Sequence, residues 1–288
     1  MTTITDVKND WELIGSVPPD SLIDARLQLH YATQVVSVLG RTLLESQEDD
    51  SHTNMEWNSP SGMLVGKIVG RDTTYRAGLE FESFTLKFLD SELSALDEFA
   101  LDGKTLKDGY GWLKSQIESA EGLPDSVDLD MPGYDMPEHP VGEGAEFALD
   151  QDKFRELKIW YTDANTILSL INTHHPNSSP IRCWPHHFDI ATLLTVQEKP
   201  EKKTIGVGMT PGDNFYSEPY WYLSPWPSPE VPSPKQLESN GEWHTNDWFG
   251  AVLPASNMQP TDSAAEQAEM VRLFVHSAMG QLHTFLKS

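Results

Sequence analysis

Hydrophobic residues recur every three or four positions in four parts of the chain, with polar residues between them. This spacing puts the apolar side chains on one face of a helix, as in amphipathic helices that pack on a protein core. We therefore predict helices over residues 21–46, 105–118, 154–172 and 263–286.

Alternating polar and apolar residues between turn residues are typical of strands. The predicted strands are residues 52–57, 63–69, 79–89, 181–196, 204–210, 218–224 and 243–253. Because strands follow strands and the helices are segregated from them, the pattern indicates an α+β fold. We expect a largely antiparallel sheet flanked by three or four amphipathic helices.

Residues 119–152 show neither pattern. Eleven Asp and Glu residues lie in 118–152, together with several Pro and Gly, and no Lys or Arg occurs between Lys114 and Lys153. We expect a single α+β domain over 1–288 with an acidic excursion at 119–152. Two interpretations stay open: the excursion separates two halves, 1–118 and 153–288, or it wraps around one domain.

The 288 residues include 44 acidic and 20 basic side chains, a net charge of −24. That surplus argues against nucleic acid and against an anionic membrane surface as partners, and leaves a small-molecule ligand or substrate. The single cysteine, Cys183, excludes an internal disulfide and fits a reducing compartment. Residues 1–15 lack the apolar core of a signal peptide, so we expect a cytoplasmic protein. The oligomeric state stays open.

The densest group of reactive side chains is the run RCWPHHFD at 182–189. On a single strand, His187 and Asp189 would share a face, and His186 would point away. With the distant His244 they would form a two-histidine, one-carboxylate site for iron, zinc or manganese. Two alternatives are equally open: a metal-free polar site, and a His–Asp pair with a purely structural role.

Further candidate residues lie in two other segments. Asp50 and His52 adjoin a predicted strand and could supply a catalytic base or an additional metal ligand, as could Glu218. Aromatic walls with a few carboxylates are how small-molecule pockets recognise cations, sugars and planar ligands. The candidate substrate-binding residues of this kind are Asp213, Tyr216, Tyr220, Trp221 and Tyr222.

Two resemblances follow from these motifs. The His-x-Asp pair with a distal His resembles iron(II)/2-oxoglutarate oxygenases, although the first basic residue after His244 is Arg272, inside a predicted helix. The runs DDSHTNMEW, WPHHFDIATLL, GVGMTPGDNFY and EPYWYLSPWP are similar to those of a family of bacterial conserved proteins of unassigned function. That resemblance covers residues 20–286 and implies a shared site that includes His52 and Asp189, without implying an activity.

The function that these patterns favour is an enzyme acting on a small polar molecule at a His/Asp site walled by aromatic residues. A divalent metal would make it a metal-dependent hydrolase or a non-haem iron oxygenase. The alternative from another class is a non-enzymatic protein that binds a small ligand.

Overall fold

A computed structural model describes residues 7, 10–122, 127–228, 234–258, 261 and 263–287 of the chain. They fall into two units, each built from separate stretches of sequence. The N-terminal unit comprises 22–158 and 183–188, and the C-terminal unit comprises the rest. The described residues of the acidic segment 119–152 belong to the N-terminal unit.

The N-terminal unit is built on a five-stranded antiparallel sheet in which each strand pairs with the next along the chain. Helix α1 (Ile23–Leu43) packs on β2, β3 and the second helix, α2 (Leu106–Glu121). A capping box of Thr105 and Asp108 begins α2. The strands are β1 (Glu56–Asn58), β2 (Met63–Val65), β3 (Tyr75–Glu80), β4 (Thr85–Asp90) and β5 (Ala95–Ala100).

The described part of the acidic segment packs along α1 within this unit. The Tyr31 hydroxyl donates to the Pro137 carbonyl, and the Ala148 amide donates to the Gln28 side chain. Residues 123–126 of the segment lie outside the described residues. Helix α3 (Gln151–His174) follows, and the chain passes from one unit to the other within it.

The C-terminal unit contains most of a six-stranded sheet, with strand order β10-β11-β9-β8-β7-β6. Helix α4 (Ala264–Lys287) packs on β8, β9 and β11, over the buried side chains of Ile205, Val207 and Leu223. The strands are β6 (Arg182–Trp184), β7 (Asp189–Gln197), β8 (Lys203–Thr210), β9 (Tyr220–Trp226), β10 (Glu242–His244) and β11 (Gly250–Pro254).

The α+β prediction is confirmed, with two antiparallel sheets in place of one. The predicted strand 181–196 is wrong in one respect, because residues 185–188 form a turn between β6 and β7. Residues 79–89 and 243–253 are likewise each divided between two strands by a turn, and β5 was not predicted. No helix in the described part of the chain combines the length and apolar character needed to cross a membrane.

Candidate functional site

Residues 184–188, the last residue of β6 and the turn that follows it, lie in the N-terminal unit, and we call them the histidine loop. Two side chains of α1 hold it through one acceptor: the Pro185 carbonyl accepts from Nε2 of His30 and from Nε2 of Gln34, each at 2.8 Å. His30 and Gln34 are four residues apart, so both side chains leave the same face of the helix. The loop is therefore fixed by two buried donors.

His30 is neutral in this arrangement. It is 6% exposed, and burial lowers its pKa to about 4 against the opposing effect of the Pro185 hydrogen bond. Since a carbonyl only accepts, the proton is on Nε2. The Phe188 ring stacks on the imidazole at 5.2 Å, nearly parallel, and Phe188 adopts a φ of +53°. A bulky residue in this left-handed region is strained, and such strain concentrates at functional sites.

Gln34 joins the histidine loop to the acidic segment. Its Oε1 accepts a 2.6 Å hydrogen bond from the Tyr134 hydroxyl, and Gln34 itself is fully buried. Burial raises the pKa of Tyr134, which keeps the phenol protonated as a donor. Arg41 also holds the segment, by donating to the Asp130 carbonyl.

His186 is the loop side chain best placed for chemistry. It is partly exposed, with its ring 5.9 Å from Tyr134, 6.0 Å from Trp184 and 4.3 Å from the exposed His187. Burial lowers the pKa of His186, His187 lowers it further, and the carboxylate of Asp50 raises it. No hydrogen bond joins His186 to another residue that the structure describes. The lowered pKa favours the neutral imidazole, and neither ring nitrogen is engaged by a described residue.

Asp50 and His52 lie in the turn that follows α1. Asp50 is exposed, adopts a φ of +54°, and is held by two hydrogen bonds from Thr53 to its carbonyl. Its carboxylate is free of those contacts and acts electrostatically on His186. His52 is buried, and its Nδ1 accepts from the Gln47 amide at 3.2 Å. Of the two predicted residues, Asp50 is therefore the one whose charge affects the histidine loop.

A second polar cluster covers one face of the sheet in the C-terminal unit. The register places Tyr220 and Tyr222 of β9 on the same face as Asp189 of β7 and His244 of β10. The Tyr222 hydroxyl donates to Asp189, and the Tyr220 hydroxyl donates to Asp213 at 2.6 Å. Burial, followed by the adjacent carboxylate, raises the pKa of both phenols, so they remain donors.

Gly208 on β8 makes the contact between β9 and β7 possible. It pairs directly with Tyr222, and a Cβ atom there would lie 2.6 Å from the Tyr222 hydroxyl oxygen. Only glycine leaves room for the phenol to cross β8 and reach Asp189.

His244 is held through both ring nitrogens. Nε2 donates to the Asn246 carbonyl, and Nδ1 accepts from the Tyr216 hydroxyl at 3.0 Å. The ring is stacked 4.3 Å from Trp248, and the half-exposed Phe215 lies edge-on to it at 5.3 Å. His244 would have to give up one of these bonds to bind a metal ion.

Three other predicted residues have structural contacts. Trp221 points to the opposite face of β9, where it packs with Trp11 and Trp160 and is 1% exposed. Both carboxylate oxygens of Glu218 accept from Ser256. Oδ1 of Asp213 accepts the amides of Phe215 and Tyr216, which forms the turn before β9.

The described part of the structure shows no cluster of metal-ligating side chains that supports the metal hypothesis. Among the described residues, no group of three or more His, Cys, Asp and Glu side chains is placed to hold a metal ion. His187 belongs to the N-terminal unit, whereas Asp189 and His244 belong to the C-terminal unit. The turn at 185–188 also removes the single strand face on which His187 and Asp189 were expected together.

His30, Gln34 and Tyr134 are not among the site residues predicted from the sequence. A signal was present for the first two: they are polar residues four apart on the apolar stripe of a helix. Such residues need buried partners. Tyr134 gave no signal of its own, because its role depends on how the acidic segment packs.

Comparison with protein-family models, curated proteins and solved structures found no match to the chain. The resemblance to the bacterial family stays a prediction, and the site must be interpreted from its own chemistry.

Because its pKa is lowered on folding, His30 should make stability depend on pH. The unfolded imidazole binds a proton below about pH 6.5, whereas the folded one resists protonation until about pH 4. This stabilisation is present above pH 6.5 and is lost as the pH falls. Between pH 7 and pH 5, the unfolding free energy of His30→Gln should fall by about 2 kcal/mol less than that of the wild type. Urea titrations at both pH values measure this, with His187→Gln as the exposed control. Equal losses in all three proteins would contradict a buried neutral His30.

Gly208→Ala should destabilise the protein by about 1–3 kcal/mol, since the new methyl group displaces Tyr222 from Asp189. Gly206→Ala is the matched control on the same strand and face. There the added Cβ meets the Ser224 hydroxyl at 3.2 Å, and that small side chain can rotate away. Denaturant unfolding of both variants provides the test, and equal stabilities would show that Gly208 is not needed for the crossing.

Metal analysis tests the predicted site of His187, Asp189 and His244. The metal hypothesis predicts stoichiometric iron, zinc or manganese in the purified protein and a lower melting temperature after chelation. Elemental analysis and thermal melts with and without a chelator measure this, and equal melting temperatures without bound metal would contradict the hypothesis.

Proposed function

We propose that the protein is an enzyme that acts on a small polar molecule by acid–base chemistry at the histidine loop. The observation that carries the proposal is a neutral His186 with no hydrogen bond to the described residues, on a loop held rigid from α1. An unprotonated imidazole that is held in place, partly exposed and without a hydrogen-bond partner among the described residues is suited to act as a general base.

The neighbouring residues have distinct roles in this scheme. His186 accepts a proton from the substrate. The Asp50 carboxylate stabilises the imidazolium that forms, as its effect on the pKa of His186 indicates. Tyr134 and Trp184 provide aromatic walls, and the Tyr134 hydroxyl is committed to Gln34. A neutral or cationic substrate suits the acidic surroundings.

The cluster in the C-terminal unit favours the alternative, a ligand-binding function. Hydrogen bonds hold the polar side chains of this cluster in place, at Tyr216, Tyr220, Tyr222 and His244. The Phe215 ring beside them is exposed. Exposed aromatic rings beside carboxylates bind planar or cationic ligands without chemistry. The two functions predict different effects of the same substitutions.

Turnover of a panel of small neutral and cationic metabolites, followed by mass spectrometry, tests the enzyme proposal. His186→Gln should slow turnover by about 10²–10⁴-fold, and Asp50→Asn should slow it less. His276→Gln, on the exposed surface of α4, is the control. The wild-type rate should fall at acidic pH, with its midpoint below 6.5, because protonated His186 cannot act as a base.

Two outcomes would count against this function. Equal turnover by the wild type and His186→Gln would remove the histidine loop from the chemistry. Binding without turnover, lost in Phe215→Ala and retained in His186→Gln, would favour the ligand-binding alternative.

A further inference from the structure

A separate cleft of about 330 Å³ lies in the N-terminal unit, among the end of α1, the β2–β3 connection and the end of α2. This volume is at the lower end of the range for small-molecule sites. Apolar side chains form its walls: Leu43, Leu44, Ile68, Val69, Ile117 and Val127.

Three of these side chains are unusually exposed for large aliphatic residues. Leu43 is 38% exposed, Leu44 is 36% exposed and Ile68 is 47% exposed. Single exposed aliphatic residues are ordinary. Three around one cleft form an apolar surface, and covering it with an apolar group is energetically favourable. The deeper wall, at Val69 and Ile117, is already buried.

Two opposite charges line the same cleft without pairing with each other. Arg71 makes no hydrogen bond or ion pair with any residue that the structure describes, and it is exposed. Glu121 accepts a 3.1 Å hydrogen bond from the buried Tyr75 through Oε1. An uncommitted guanidinium is unusual in a chain of net charge −24, where carboxylates are abundant.

We propose that this cleft binds an apolar α-amino acid of about the size of leucine. Its carboxylate would pair with Arg71, its ammonium group with Glu121, and its side chain would cover Leu43, Leu44 and Ile68. A simple fatty acid would leave Glu121 without a cationic partner, and a simple amine would leave Arg71 without an anionic one. Only the zwitterion satisfies both groups.

Calorimetric titration of the full chain with leucine, methionine and phenylalanine tests this site. Two leucine analogues each lack one charge: 4-methylpentanoate has no ammonium group, and 3-methylbutylamine has no carboxylate. Leucine should bind the wild type at least about tenfold more tightly than either analogue, because each lost charge-assisted contact weakens the affinity by about tenfold or more.

Substitutions assign the two charges. Arg71→Gln and Glu121→Gln should each weaken leucine binding by about tenfold or more, and Glu121→Gln should tighten binding of 4-methylpentanoate. Arg155→Gln makes the same charge change at an exposed position outside the cleft and should bind leucine like the wild type. Ile68→Ser removes an exposed wall residue and should weaken binding while the melting temperature stays unchanged.

Three results would overturn the proposal. One is no binding heat with any of the three amino acids at about 10 mM. Another is equal affinity for leucine and 4-methylpentanoate, which would define an anion site. The third is equal leucine affinity in Arg71→Gln and Arg155→Gln.

Discussion

The carbonyl oxygen of Pro185 is the interaction on which the N-terminal site depends. It accepts from both His30 and Gln34, two polar side chains that a helix could not otherwise bury at low cost. The same bonds fix the proton of His30, hold Phe188 against it in a strained conformation, and orient Gln34 toward Tyr134. Removing one partner would leave buried polar groups on α1 and on the histidine loop without hydrogen bonds. The stability of each element therefore depends on the other.

The two polar clusters differ in how many of their polar side chains are already hydrogen-bonded to other residues. In the C-terminal unit, the phenols of Tyr220 and Tyr222 donate to carboxylates, both ring nitrogens of His244 have partners, and Gly208 provides the space for the Tyr222 contact. Hydrogen bonds of this kind fix the shape of the cluster and occupy its hydroxyl and imidazole groups. In the histidine loop, His30 and Gln34 are bonded to the Pro185 carbonyl, whereas His186 has no hydrogen bond to a described residue. That division, a rigid support behind a free base, is the arrangement that catalysis needs.

Periodicity predicted the four long helices to within a few residues because each has a continuous apolar stripe that must be buried. The strands were harder to predict, since the alternation in 79–89 and 243–253 continues through a tight turn and gives no sign of it. In 181–196 the break falls at Pro185, a residue that cannot donate a ladder hydrogen bond. The site depended on contacts distant in sequence: Gln34 and Pro185 are 151 residues apart, and Gln34 and Tyr134 are 100 apart. Local patterns contain no information on such pairs.

At the histidine loop, one carboxylate of this acidic chain, that of Asp50, acts on the proposed base. Residues 127–150 pack along α1 and contribute the uncharged Tyr134 to the wall beside His186. Burial and His187 both disfavour a proton on His186, and the Asp50 carboxylate opposes them. The net effect favours the neutral imidazole before reaction, and Asp50 lowers the cost of the charged form after the imidazole has accepted a proton. A substrate that arrives with a negative charge would disturb that balance and be repelled, which is why a neutral or cationic molecule is the consistent choice.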